Sequence, residues 1–236
     1  QKTSLALHAA EHYARNGGRV LYVSLDMHPR EIELRLMMRV LNCSRDTALW
    51  HSELQDDFYR QACEARRELD ANLSIIGGPL NLFGLRAALL ASEAQVVVID
   101  YVTLVDGFSG NELDAARGVS QFVREARNRW GITFVLLSQM SRESVKDVRQ
   151  GGTGGHAKGG SSLEQLVDYE IELSADEPLS EGGNRRIIAF LRKNRNGRNG
   201  LYFELFPFFP SMGFSDHAEA VQRDPAKRKI AFRAAW

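Results

Sequence analysis

The chain has 236 residues, 44% of them hydrophobic, enough for one large domain with its own core. Lysine plus arginine equals aspartate plus glutamate at 30 each, so net charge argues neither for nor against a nucleic-acid partner, and any such surface must be a local patch. No apolar stretch approaches the roughly 18 residues that a membrane span needs, and no signal peptide is visible, which points to a soluble, intracellular protein without membrane contacts.

Starting at Gln1 rather than Met, the sequence reads as a fragment of a longer chain. Residues 1–16 carry apolar side chains at Leu5, Ala9, Ala10 and Tyr13, a helical period that stops at Gly17-Gly18. Lys2-Thr3 therefore opens a helix. This is where a phosphate-binding loop would end and also where an ordinary polar first turn would lie. Arg19 to Asp26 reads as a buried strand ending in a carboxylate, and Pro29 starts a helix running to about Leu41. Residues 44–71 are polar with amphipathic spacing, suited to one or two solvated helices. Cys43 and Cys63 fall on expected helices without metal-ligand spacing, as reduced, buried thiols would.

Leu73 to Ile76 is expected as a short strand and Asn81 to Ser92 as a helix. The next stretch, Gln95-Val-Val-Val-Ile-Asp100-Tyr101, organises the chain: an unbroken apolar run suits a strand covered on both faces, and Asp100 would project from the sheet's carboxyl edge, where open α/β sheets bind ligands. Glu112 to Trp130 has a helical period, and Gly131 to Gln139 reads as a further strand, now ending in an amide. Strict alternation of strands and helices predicts a mostly parallel sheet with right-handed crossovers.

Ser141 to Ser162 is Gly-rich and holds Arg142, Lys146, Arg149, His156 and Lys158; it fits either a surface loop without a task or a contact for a sugar-phosphate backbone. Tyr169 to Leu173, Arg185 to Arg192 and Leu201 to Phe206 alternate as strands. The segment from Arg192 to Gly200 reads as a hairpin tip, cationic and rich in Asn and Gly. The tail after Pro210 carries little signal beyond the basic run Lys227-Arg228-Lys229.

Taken in order, Lys2-Thr-Ser-Leu-Ala-Leu, Val23-Ser-Leu-Asp-Met27, Val98-Ile-Asp-Tyr101 with Leu104, Leu137-Ser-Gln-Met140, Leu163-Glu-Gln-x-x-Asp168 and Lys193-Asn-Arg-Asn-Gly197 resemble the ATPase domain of the DnaB-type hexameric replicative helicases. The resemblance spans residues 1 to about 206. It implies an α/β RecA-like P-loop NTPase core, a mostly parallel sheet flanked by helices with a C-terminal antiparallel hairpin. It also implies a single motor domain, residues 1–206 forming the core and 207–236 an extension.

The resemblance further implies roles. Gln1, Lys2, Thr3 and Ser4 would form the remnant of the phosphate site, Lys2 neutralising the outer phosphates of ATP, while Thr3 and Asp100 would hold Mg²⁺. Asp26 stands in for a water-orienting glutamate. Gln139 would sense the γ-phosphate. Lys193 and Arg195 would reach the neighbouring subunit's nucleotide. Arg142, Lys146, Arg149, Lys158, Gly159, Gly160 and Ser161 would meet single-stranded DNA in a ring channel. The implied partners are single-stranded DNA, further copies of the chain in a hexameric ring, and a primase or helicase loader, in the cytoplasm or at the nucleoid. Gln1 replaces a glycine of the family's pattern and Asp26 is one methylene shorter than glutamate. Those departures keep two other readings open: a RecA- or KaiC-like ATPase switch that does not unwind, and a nucleotide-binding scaffold with impaired hydrolysis.

Overall fold

The computed structural model describes residues 2–45, 52–108, 112–139, 161–175, 187–208, 213–214, 219–222 and 230–232. The unbroken apolar run forms β3 (Val96–Asp100), with β1 (Val20–Ser24) and β4 (Thr133–Leu136) on either side and β2 (Leu73–Gly77) beyond β1. All three pairings are parallel, in the order β2-β1-β3-β4.

The lack of alternation in β1 and β3 has a direct cause, because both faces of the sheet are covered. Leu21, Val23, Val97 and Ile99 enter one core with Leu85 and Leu89 of α4 (Leu82–Ser92), Val119, Phe122 and Val123 of α5 (Glu112–Trp130), and Leu163 and Leu166 of α6 (Ser161–Leu166). Tyr22 and Val98 enter the other, with Leu7 and Ala10 of α1 (Lys2–Arg15), Ile32 and Leu36 of α2 (Pro29–Val40) and Leu69 of α3 (Ser52–Asp70). Val97, Val98 and Ile99 are at most 1% exposed, and side chains of this kind contribute about 1.5–3 kcal/mol each when fully buried.

Local chemistry sets the helix ends. Gly17, at φ +83°, closes α1: its amide donates to the Ala14 carbonyl at 3.0 Å and that of Gly18 to Tyr13 at 3.1 Å, a paired C-terminal cap. Pro29 occupies the first turn of α2 behind the His28 cap, and Asn81 caps α4 by accepting from the Gly84 amide at 2.9 Å. At the end of β2, Gly77 lies so close to α2 that a β-carbon there would stand 2.7 Å from both the Ser24 carbonyl oxygen and the Pro29 ring.

After α6 the chain changes architecture. β5 (Tyr169–Ala175), β6 (Ile187–Asn194) and β7 (Leu201–Leu205) form an antiparallel meander, and β10 (Glu219–Gln222) and β11 (Ile230–Phe232) extend it to five strands in the order β11-β10-β7-β6-β5. The expected C-terminal hairpin is thus the centre of a larger sheet, whose outer strands are too short to show a period in sequence. A small pair, β8 (Pro207–Phe208) with β9 (Gly213–Phe214), brings the Phe214 ring edge-on to His8 of α1 at 6.0 Å.

The expectation of buried thiols fails. Both cysteines are free, Cys43 is half-buried past the end of α2, and Cys63 is exposed. On α3 the inward positions are Ala62, Ala65 and Leu69, which turns Cys63 to the polar side. Among the described residues no helix is long and apolar enough to cross a membrane.

Candidate nucleotide site at the sheet edge

The strand registers bring the candidate acids together. Ser24 of β1 lies level with Asp100 of β3, and Ile99 lies level with Leu136 of β4, so the segments after Ser24, Asp100 and Leu136 emerge side by side. The Asp100 carbonyl accepts from the amides of Leu25 at 2.7 Å and Asp26 at 3.4 Å. The Leu137 amide donates to Ile99, and the Leu137 carbonyl accepts from Val102, both at 3.0 Å.

The start of α1 meets this edge. Lys2 Nζ donates to the Ser138 carbonyl at 2.7 Å, across 136 residues. Burial lowers the Lys2 ammonium below its ordinary range, while the negative charges of Asp100 and then Asp26 draw it back up. Lysine, the two carboxylates and the segment leading to Gln139 therefore share one neighbourhood at the positive end of a helix dipole. Asp100 is 4% exposed, Asp26 is exposed, and Thr3 and Gln139 are half-buried. Ser4 is turned into the protein at 6% exposure. The donor set suits a phosphate with a hard divalent cation: an ammonium and helix amides for the anion, and the Thr3 hydroxyl and Asp100 carboxylate for the cation or its waters.

One participant is absent from the sequence reading. The Tyr22 hydroxyl donates to Asp100 Oδ2 at 2.9 Å, and the tyrosine is fully buried. Burial, then the Asp100 charge, then the bond itself push this phenol far above its ordinary range, against the pull of Arg35 on α2, so it remains a donor. The signal is a lone phenol within Val20-Leu-Tyr-Val-Ser24, since a buried tyrosine hydroxyl needs a partner.

The two cations of the hairpin are held elsewhere. Lys193 Nζ donates to the Glu164 carbonyl on α6 at 2.6 Å. Arg195 Nη1 bonds Asp168 Oδ1 at 2.6 Å, and its amide donates to the Asp168 carbonyl at 2.9 Å. Arg127 of α5 approaches the other Asp168 oxygen at 3.6 Å. A cavity between α1, β4, α6 and β5 is lined by Lys2, Ser138, Arg127, Glu164 and Asp168, so the lysine and the anchor of Arg195 border one space. Burial raises Glu170 on β5 above the ordinary carboxylate range and Glu164 adds to this, with Arg192 opposing, Glu172 adding and Lys193 opposing. Gln1, Arg142, Lys146, Arg149, Lys158, Gly159 and Gly160 lie outside the described residues, and Ser161 opens α6.

A doubly covered parallel sheet, with a lysine at a helix start facing the carboxylates at its edge and an antiparallel sheet following, defines a RecA-like nucleotide-binding domain. Residues 1–206 match the DnaB-like helicase C terminal domain, and the chain belongs to that family. Its fold is similar to a solved phage-type helicase relative described as an "ATPase Domain" (TM-score 0.77, 19% identity, 91% of this chain and 80% of that one). It is also similar to a chain from "The Structure Of A DnaB-Like Replicative Helicase And Its Interactions With Primase" (TM-score 0.75, 19% identity, 90% of this chain and 55% of that one). No curated protein matches the sequence.

Proposed function

We propose that this chain is the ATP-hydrolysing motor of a DNA helicase, working at the interfaces of a homo-oligomeric ring to move along single-stranded DNA and part a duplex. The observation carrying this reading is that Lys2 lies within the field of Asp100 and Asp26, while Arg195 is displayed on a separate hairpin tip. Lys2 would neutralise the outer phosphates, Asp26 would orient the attacking water, and Thr3 with Asp100 would hold Mg²⁺. That ion, when bound, draws off charge that builds on the phosphates during transfer. Gln139, next to the carbonyl that grips Lys2, would relay the state of the γ-phosphate to the basic segment from Arg142 to Ser161, which would bear on the DNA backbone. Lys193 and Arg195 would act on the neighbouring copy's nucleotide. The single domain would comprise residues 1–206 as its core and 207–236 as an extension. A primase or loader would dock on the assembled ring, in the cytoplasm or at the nucleoid.

Lys2→Ala tests the reading: DNA-stimulated ATP turnover is expected to vanish while circular dichroism stays native. Undiminished turnover would remove Lys2 from the chemistry. Asp26, in place of glutamate, favours a second reading, an ATPase switch, which would hydrolyse ATP yet release no strand in a displacement assay.

A further inference from the structure

β1 puts a phenol where a strand between two helical layers would ordinarily carry a plain hydrocarbon. Tyr22 lies level with Val98 on β3, and both face the core beneath α1 and α2. Asp100, two residues beyond Val98, therefore points to the same side, diagonal to Tyr22. The ring fills that core and its hydroxyl meets Oδ2 of Asp100 at 2.9 Å, in a contact closed to water at both ends. A phenylalanine would fill almost the same space and leave the carboxylate oxygen without its donor.

We propose that Tyr22 is a positioning residue for Asp100: by occupying Oδ2 it fixes the carboxylate's rotation, so that Oδ1 is presented to the water shell of a nucleotide-borne magnesium ion. This rests on the reading of Asp100 as the residue that holds the cation. A partner one bond removed from a metal typically changes affinity or activity by tenfold or more when it is lost. The predicted signature therefore lies in the metal dependence, not in nucleotide binding as such.

The test uses the full chain and a fluorescent, non-hydrolysable ATP analogue, titrated with Mg²⁺ and also without metal. Tyr22→Phe should match the wild type without metal and need on the order of tenfold more Mg²⁺ to reach half-saturation. Asn72→Ala, which removes a remote hydrogen bond to the Ala14 carbonyl, should leave the Mg²⁺ midpoint unchanged. An unchanged midpoint in Tyr22→Phe, or an equal shift in Asn72→Ala, overturns the proposal. A wild type that binds no analogue in either condition overturns the nucleotide-site reading instead. A second measurement needs no variant: tyrosine labelled with ¹³C at its phenol carbon and placed at position 22 alone should shift its NMR resonance when Mg²⁺ joins the nucleotide-bound protein. A stationary resonance refutes the coupling.

Discussion

Arg195 and Asp168 are joined twice, by a side-chain ion pair of 2.6 Å and by a main-chain bond of 2.9 Å from the Arg195 amide to the Asp168 carbonyl. The main-chain bond fixes the hairpin tip to the start of β5. The ion pair is exposed, at 59% for Arg195 and 37% for Asp168, so water screens it and the guanidinium can exchange this partner for another. Arg195→Ala should therefore cost at most about 1 kcal/mol in a urea unfolding curve, while lowering ATP turnover on the order of a thousandfold, as loss of a finger supplied in trans does. Mixing the variant with Lys2→Ala should restore turnover at interfaces that pair an intact lysine with an intact finger. A strictly additive mixing curve would place Arg195 outside its neighbour's site.

Glu11 is the opposite case. It is 4% exposed on α1, bonded to Arg15 at 2.7 Å and to Arg39 of α2, which also meets His8. This pairing ties the helix that begins at Lys2 to the helix behind Asp26. Removing one member of a buried pair strands the other, so Glu11→Ala should lose about 3 kcal/mol of stability by chemical denaturation. A loss below about 1 kcal/mol would mean that Arg15 and Arg39 find water instead.

Glu170 gives a pH dependence of definite sign. Its folded-state pKa is raised above the ordinary 4.5, first by burial and then by Glu164. The folded protein therefore holds that proton more tightly than the unfolded chain does. The associated stability is present below the ordinary carboxylate range and is lost as pH rises through the raised value. Glu170→Gln should unfold at a higher temperature than the wild type at neutral pH, and the gap should close as pH falls toward 4.5. A gap that stays constant across that window would assign the effect to packing.

Gly77 should tolerate no side chain. A methyl group there would meet the Ser24 carbonyl oxygen and the Pro29 ring at 2.7 Å, and backbone cannot step aside as a flexible side chain can. Gly77→Ala should cost about 1–3 kcal/mol in thermal or urea unfolding, and it should weaken nucleotide binding because the same contact sets where α2 begins, three residues after Asp26. Unaltered stability would show that the β2 edge yields freely.

What could be read in advance was whatever announces itself locally. α5 runs from Glu112 to Trp130 as its helical period predicts, because Ala115, Val119, Phe122, Val123 and Ala126 mark a continuous inward face. The run before Asp100 declares a strand buried on both sides, and the structure supplies a helical layer on each. Tyr22 with Asp100 and Arg195 with Asp168 are separated by 78 and 27 residues and leave no periodic trace. The four residues of β10 and three of β11 are likewise too few to set up a pattern, although pairing with β7 makes them strands. Cys63 departs from expectation because thiols are usually buried, whereas the stripe of α3 passes through Ala62 and Ala65.

The oxygen that Asp100 shares between the amides of Leu25 and Asp26 makes the two acids parts of a single stiff lip. Neither can advance on a bound phosphate while the other hangs back. Whatever stroke a turnover produces must then come from pieces mounted beyond that lip, foremost the tip bearing Arg195. Fuel is burned on a fixed hearth, and the moving arm belongs to the molecule next door.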